Sequence, residues 1–265
     1  MSRIDKAIEV AAKKRSQESQ NYAAIEPLPV SSSQSEKPVP GPSIRSSANV
    51  ANPFLVTAND LNSPAAEQYR KLKSLLVKLS HMGTFDKALM VSSPVAGEGK
   101  TITSLNLAIT MAQEFDHTVL LVEADVRKPS VMKYLGLDCQ QGLSDCVMNN
   151  LDIREVLVKT GIGNLSVLPA GTHVENPVEL FSSKRMQSLF DELKSRYSDR
   201  YLIVDTTPLL PFAEPHYIAN AVGAVLLVVR EGMTTPEKLK RSIEIIKNNN
   251  VLQTRNQHFF KERCA

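Results

Sequence analysis

Tryptophan is absent from the 265 residues, and aromatic residues together make up 5%. So few rings cannot line a platform for stacking single-stranded bases. The net charge is only +3, too mild to mark a nucleic-acid surface. Cysteine is scarce as well. Cys139, Cys146 and Cys264 show no C-x-x-C spacing, and an odd, unpaired set suits a reducing cytoplasm rather than a disulfide scaffold. The five histidines form neither H-E-x-x-H nor another zinc spacing. Apolar runs reach only strand length, so no segment is expected to span a membrane, and the N-terminus lacks the apolar core of a secretory signal. What remains is ordinary: 42% hydrophobic and 22% charged residues, enough for one large α/β domain with extensions.

The most informative stretch is Ser92-Ser93-Pro94-Val95-Ala96-Gly97-Glu98-Gly99-Lys100-Thr101. An apolar run, Ala88-Leu89-Met90-Val91, leads in, and a helical pattern from Ile102 to Glu114 leads out. Strand, glycine-bearing loop, Lys-Thr and helix is the order a phosphate-binding loop needs. Glycines let backbone N–H groups approach phosphate oxygens, and the helix N-terminus adds orphan donors and partial positive charge. Ala96, Gly97, Glu98, Gly99, Lys100, Thr101 and Ile102 are therefore the candidate nucleotide-binding residues. Lys100 would reach the β- and γ-phosphates, and the Thr101 hydroxyl would ligate Mg²⁺. Pro94 stands where the usual pattern has its first glycine.

Along the chain, residues 1–20 read as a basic amphipathic helix with Ile4, Ala7, Ile8 and Ala11 on one face. That face is half alanine and would anchor poorly in lipid. Residues 21–53 form a Pro/Ser-rich linker that cannot build a core. The P-loop domain is expected over 54–252, and 253–265 is a polar tail without strand pattern that reads as a truncated or frame-shifted end. A helix is expected from Asn59 to Ser80, with Ser63-Pro64 as a plausible start. Buried strands are expected at Lys87–Ser92, Thr118–Asp125, Tyr201–Asp205 and Ala224–Val229, alternating with helices. The expected fold is thus α/β: a P-loop NTPase-like parallel sheet with helices on both faces, preceded by a disordered basic N-terminal arm.

Three carboxylates end these strands. Asp205 follows four apolar residues, the pattern of an acid that holds Mg²⁺ directly or through water. Glu123 and Asp125 lie two apart on one strand, so both point to one side of the pleat, and Arg127 continues the series. Lys100, Glu123, Asp125 and Arg127 are the candidate catalytic residues, and Thr101, Asp125 and Asp205 the candidate metal ligands.

These motifs resemble one family. Gly97-Glu98-Gly99-Lys100-Thr101, Glu123-x-Asp125-x-Arg127-Lys128-Pro129 and Val204-Asp205-Thr206-Thr207-Pro208 are similar to the Walker A, A′ and B motifs of bacterial tyrosine kinases, relatives of the MinD/ParA ATPases. Glu67-x-x-Arg70-x-x-Lys73 resembles that family's oligomerisation helix, and the N-terminus with its linker is similar to the exosortase-associated branch. The resemblance implies an ATP- and Mg²⁺-dependent tyrosine autokinase that regulates exopolysaccharide or capsule assembly. It implies a homo-oligomeric ring built through Glu67, Arg70 and Lys73, no nucleic-acid partner, and a membrane-embedded polysaccharide co-polymerase or chain-length regulator as partner. The chain would then be cytoplasmic, peripheral at the inner membrane, and in touch with the membrane only through that partner.

Departures from the family pattern are visible. Glu123 stands where the family has aspartate, no tyrosine follows Tyr217, and the last strand pattern is missing after Leu252. Tyr22 is the most accessible candidate acceptor by sequence. A MinD/ParA-type switch that transfers phosphate to water is the second reading, but its signature lysine, five residues before Lys100, is replaced by Val95. A nucleotide-binding, catalytically weak scaffold is the third.

Overall fold

The computed structural model describes residues 44–45, 52–114, 117–195 and 200–249. The chain divides into two units, residues 1–40 and 41–265, and every described residue belongs to the second. The expected N-terminal helix, Tyr22, most of the linker and the polar tail lie outside the described residues.

Seven strands form one sheet: β1 (Ile44–Arg45), β2 (Ala88–Ser92), β3 (Thr118–Glu123), β4 (Val158–Lys159), β5 (Leu165–Leu168), β6 (Arg200–Asp205) and β7 (Ala224–Leu227). Their spatial order is β1-β4-β5-β3-β6-β2-β7. The helices are α1 (Val56–Asn59), α2 (Pro64–His81), α3 (Lys100–Ala112), α4 (Val131–Leu135), α5 (Leu143–Met148), α6 (Ile153–Val156), α7 (Pro177–Ser182), α8 (Lys184–Ser195), α9 (Glu214–Ala221) and α10 (Pro236–Asn248).

The parallel sheet is covered on both faces, which is why its strands read as continuous apolar runs. Alternation sorts the residues. Ala88, Met90, Leu120, Val122, Leu202 and Val204 join one core cluster, together with Phe181 of α7, Phe190 of α8 and Ile218 of α9. Leu89, Val91, Val119, Leu121, Tyr201 and Ile203 join the other, with Leu72 of α2, Leu105 and Ile109 of α3 and Leu135 of α4.

Three expectations are corrected. The helix expected from Asn59 starts instead at Pro64, where the Ser63-Pro64 signal lay, and Asn59 only ends the separate short helix α1. Pro64 has no N–H to continue a preceding turn, so α2 begins there, capped by Ser63, whose Oγ accepts the Ala66 N–H at 3.2 Å. The sheet is not wholly parallel, because β4 pairs antiparallel with β5, Val158 opposite Val167. Only a short turn joins these strands, and a parallel pair would need a crossover of about a dozen residues. The stretch read as linker also contributes β1, which pairs in parallel with Val158 and Lys159.

Strands β3, β6 and β2 are neighbours at the centre, in register at Glu123 opposite Asp205 and Val91 opposite Asp205. Because β6 sits between β2 and β3, the ends of all three open onto one crevice, the place where ligands bind in such sheets. Among the described residues no helix is long and apolar enough to cross a membrane.

Candidate active site

The phosphate loop leaves β2 at Ser92 and enters α3 at Lys100. Gly97 and Gly99 take φ of +86° and +89°, left-handed values that a side chain rarely adopts. Gly99 is the N-cap of α3 and no side chain caps it. The first amides of a helix have no intrahelical partner, so this uncapped end offers donors and positive dipole to an anion. Pro94, where the usual pattern has glycine, is buried, and its carbonyl accepts the Leu210 N–H at 3.2 Å.

The next two side chains are matched with two acids. Lys100 Nζ lies 2.8 Å from Asp125 Oδ2. Thr101 Oγ1 donates to Asp205 Oδ2 at 2.8 Å, and Ser104 Oγ donates to Asp205 Oδ1 at 3.0 Å. Sequence reading missed Ser104, although its place one turn beyond Lys100 on α3 was available as a signal. Burial between β2 and β3 pushes the Asp205 carboxyl up to about 6, against the pull of Lys100 and the two hydroxyls.

Glu123 and Asp125 share an end of β3 but do different things. Asp125 Oδ1 accepts the Lys128 N–H at 3.0 Å. Glu123 Oε1 accepts the amides of Ser130 and Val131, at the start of α4, the latter at 2.6 Å. Burial holds the Glu123 carboxyl above its usual range, and the charge of Asp205 adds to this, while those amides pull the other way. Arg127 is held from two sides. Its Nε donates to Glu214 Oε1 at 2.8 Å, and its guanidinium lies 4.7 Å from the centre of the Phe212 ring. Glu214 is 1% exposed, and its second oxygen has no partner among the described residues.

The donor set suits the expected groups. A glycine-opened, uncapped helix start fits a polyphosphate. One hydroxyl and one carboxylate are hard oxygens of the kind Mg²⁺ takes when phosphates and water complete its shell. Among the described residues no group of three or more His, Cys, Asp or Glu forms an all-protein metal cage. Of the expected metal ligands, Thr101 and Asp205 are in contact, while Asp125 faces Lys100.

The expected oligomerisation residues lie away from this crevice, on α2. Arg70 pairs with Glu67 at 2.6 Å on an exposed face and donates to the Leu61 carbonyl at 2.8 Å. Lys73 does not share that stripe, being paired with Glu114 beyond the end of α3.

Residues 87–257 match the AAA domain family. The chain is 30% identical over 192 residues to tyrosine-protein kinase YwqD of Bacillus subtilis, covering 72% of this chain and 79% of that protein. It is also 30% identical over 198 residues to putative tyrosine-protein kinase EpsB of Ralstonia solanacearum, covering 75% of this chain but only 26% of EpsB. The chain thus spans about a quarter of that relative. Among solved structures, the kinase domain of the Escherichia coli tyrosine kinase ETK superposes with a TM-score of 0.68 at 29% identity, covering 76% of each chain.

Proposed function

This chain belongs to the bacterial tyrosine-kinase family of AAA-domain, P-loop proteins, and we propose that it transfers the γ-phosphoryl group of ATP to tyrosine hydroxyls. One observation carries the reading: behind a glycine-opened helix start, Lys100 faces Asp125 and Thr101 faces Asp205. That constellation suits a Mg²⁺–ATP site, and the likeness to tyrosine-protein kinase YwqD supports tyrosine as the acceptor.

In this reading the amides of residues 97–102 receive the phosphate oxygens, and Lys100 turns from Asp125 to the β- and γ-phosphates. Thr101 and Asp205 would hold Mg²⁺, which when bound would offset phosphate charge. Asp125, released by Lys100, orients the attacking tyrosine hydroxyl and accepts its proton as the new O–P bond forms and the β–γ bridging oxygen leaves. Arg127 is kept at the rim by Glu214 and Phe212, where its charge can meet the transferred group. Glu123 we assign to positioning, since its carboxylate serves the start of α4. Placement and electrostatics supply most of the rate in such transfers.

We further assign the chain to regulation of exopolysaccharide or capsule assembly, at the inner face of a membrane through an embedded partner. The exposed Glu67–Arg70 face of α2 would be the contact between copies of a ring. The motif pattern supports these finer assignments.

Incubation of the purified chain with γ-labelled ATP and Mg²⁺ tests the reading. Phosphotyrosine that disappears in Lys100→Ala is the expected result. Free phosphate alone would replace the kinase with an ATPase switch, and bound ATP with neither product would leave a nucleotide-binding scaffold.

A further inference from the structure

Most positions in a phosphate loop serve through their backbone, so a buried acid within one needs a role of its own. Glu98 is 5% exposed. Its Oε2 accepts the Val95 N–H at 2.9 Å, inside the loop. Its Oε1 accepts the Arg230 N–H at 3.2 Å and the hydroxyl of Thr234, residues 132 and 136 positions away. Both donors belong to the turn between β7 and α10. That turn is tight: the Met233 N–H returns to the Arg230 carbonyl at 3.2 Å, and Gly232 has φ of +78°. The same turn meets the loop a second time, since a Cβ on Gly97 would lie 3.3 Å from Met233 Cε.

An acid so near a polyphosphate site opposes the ligand's charge unless its oxygens are turned elsewhere and occupied. Here three donors occupy them, one from within the loop and two from the turn. Hydrogen bonds to a carboxylate are among the strong ones, and its removal would leave those donors to find new partners.

We propose that Glu98 is a positioning residue, which holds the phosphate loop in its anion-receiving shape by fastening it to the 230–234 turn. Docking of that turn and binding of the nucleotide's phosphates are then one coupled event. The inference rests on the nucleotide reading of the loop. Glu98 touches no reacting atom in it and acts through the backbone of residues 95–99.

The test uses the full chain with Mg²⁺ and a fluorescent ATP analogue, measuring Kd by titration and amide hydrogen exchange over residues 230–235. Glu98→Ala should weaken binding about tenfold and speed exchange in the turn. Thr234→Val, which removes a single donor, should weaken it about threefold, and Glu98→Gln, which keeps an acceptor, should recover part of the loss. The Glu98→Ala/Thr234→Val double variant should bind no worse than Glu98→Ala alone, because both act on one connection. Nucleotide should slow exchange over 230–235 in the unsubstituted chain. Faster exchange in the turn with unchanged Kd would overturn the proposal, and so would additive losses in the double variant. Should Glu98→Ala fail to fold, Thr234→Val decides by the same two readouts. Failure of the unsubstituted chain to bind the analogue would instead remove the nucleotide reading on which the proposal stands.

Discussion

At its C-terminal end the phosphate loop is tied to the centre of the sheet. Lys100 meets Asp125 and Thr101 meets Asp205, acids set at the ends of β3 and β6, whose residues are buried almost throughout. Two residues earlier the same loop is tied through Glu98 to a turn that follows β7, a strand whose four residues are all only partly buried. The first attachment is made by buried acids at the ends of core strands and cannot shift without disturbing them. The second is fixed by a few hydrogen bonds and can open at far smaller cost. The two attachments of one loop thus differ in stiffness, and control of the site from outside has its easiest route through the edge.

The sharpest way to break the comparison is at the stiff attachment. Lys100→Ala should lower phosphate transfer by at least about a hundredfold, read as phosphotyrosine formed per unit time. Residual transfer near the normal rate would mean that the centre does not carry the chemistry. Next comes the packing itself. Leu120→Ala, at a fully buried position of β3, should cost about 3 kcal/mol in denaturant unfolding, whereas Val225→Ala on β7 should cost about 1 kcal/mol. Equal costs would erase the difference between centre and edge.

Asp145 supplies a control, a buried acid outside the site. Burial raises its pKa, but hydrogen bonds from Thr172 Oγ1 at 2.6 Å and the Gly142 N–H at 2.8 Å outweigh this and hold it below 3.8. An acid with a depressed folded pKa adds stability that is fully present above 3.8 and is lost as pH falls through the folded value. Asp145→Asn should therefore unfold more easily at pH 7, with the gap to the unsubstituted chain closing in acid below pH 3.8. Parallel stability curves down to that range would refute the assignment. The smallest effect belongs to α2. Arg70→Ala should change stability by less than about 0.5 kcal/mol, as its pair with Glu67 is exposed. If copies assemble through this face, its sedimenting mass should nevertheless fall, and an unchanged mass would remove α2 from the assembly.

Much of the centre was legible in the chain. Apolar runs ending in Glu123, Asp125 and Asp205 marked the strands, and the glycines before Lys100 marked the loop, because each of these signals is local. The short helices α7 and α9 were missed although Pro177 and Pro215 stand in their first turns, a start signal diluted by the few residues that follow it. Strand β4, and with it the antiparallel β4–β5 pair, was missed because its two residues carry too little pattern to read, whereas the stretch from Asn164 reads as a short strand. The distant partners of Glu98 and Arg127 could not be read at all. They lie 132, 136 and 87 residues away, and an ion pair or hydrogen bond between distant turns leaves no periodicity behind.

The Glu123 carboxylate joins the end of β3 to the amide of Val131, eight residues on. In polymer terms it is a cross-link that closes a short ring of chain, and Asp125 and Arg127 both lie inside that ring. Closing a loop removes conformational freedom once, during folding. The two residues proposed to face the transferred phosphate are thus ordered before any ligand arrives, and binding need not spend free energy on ordering them again.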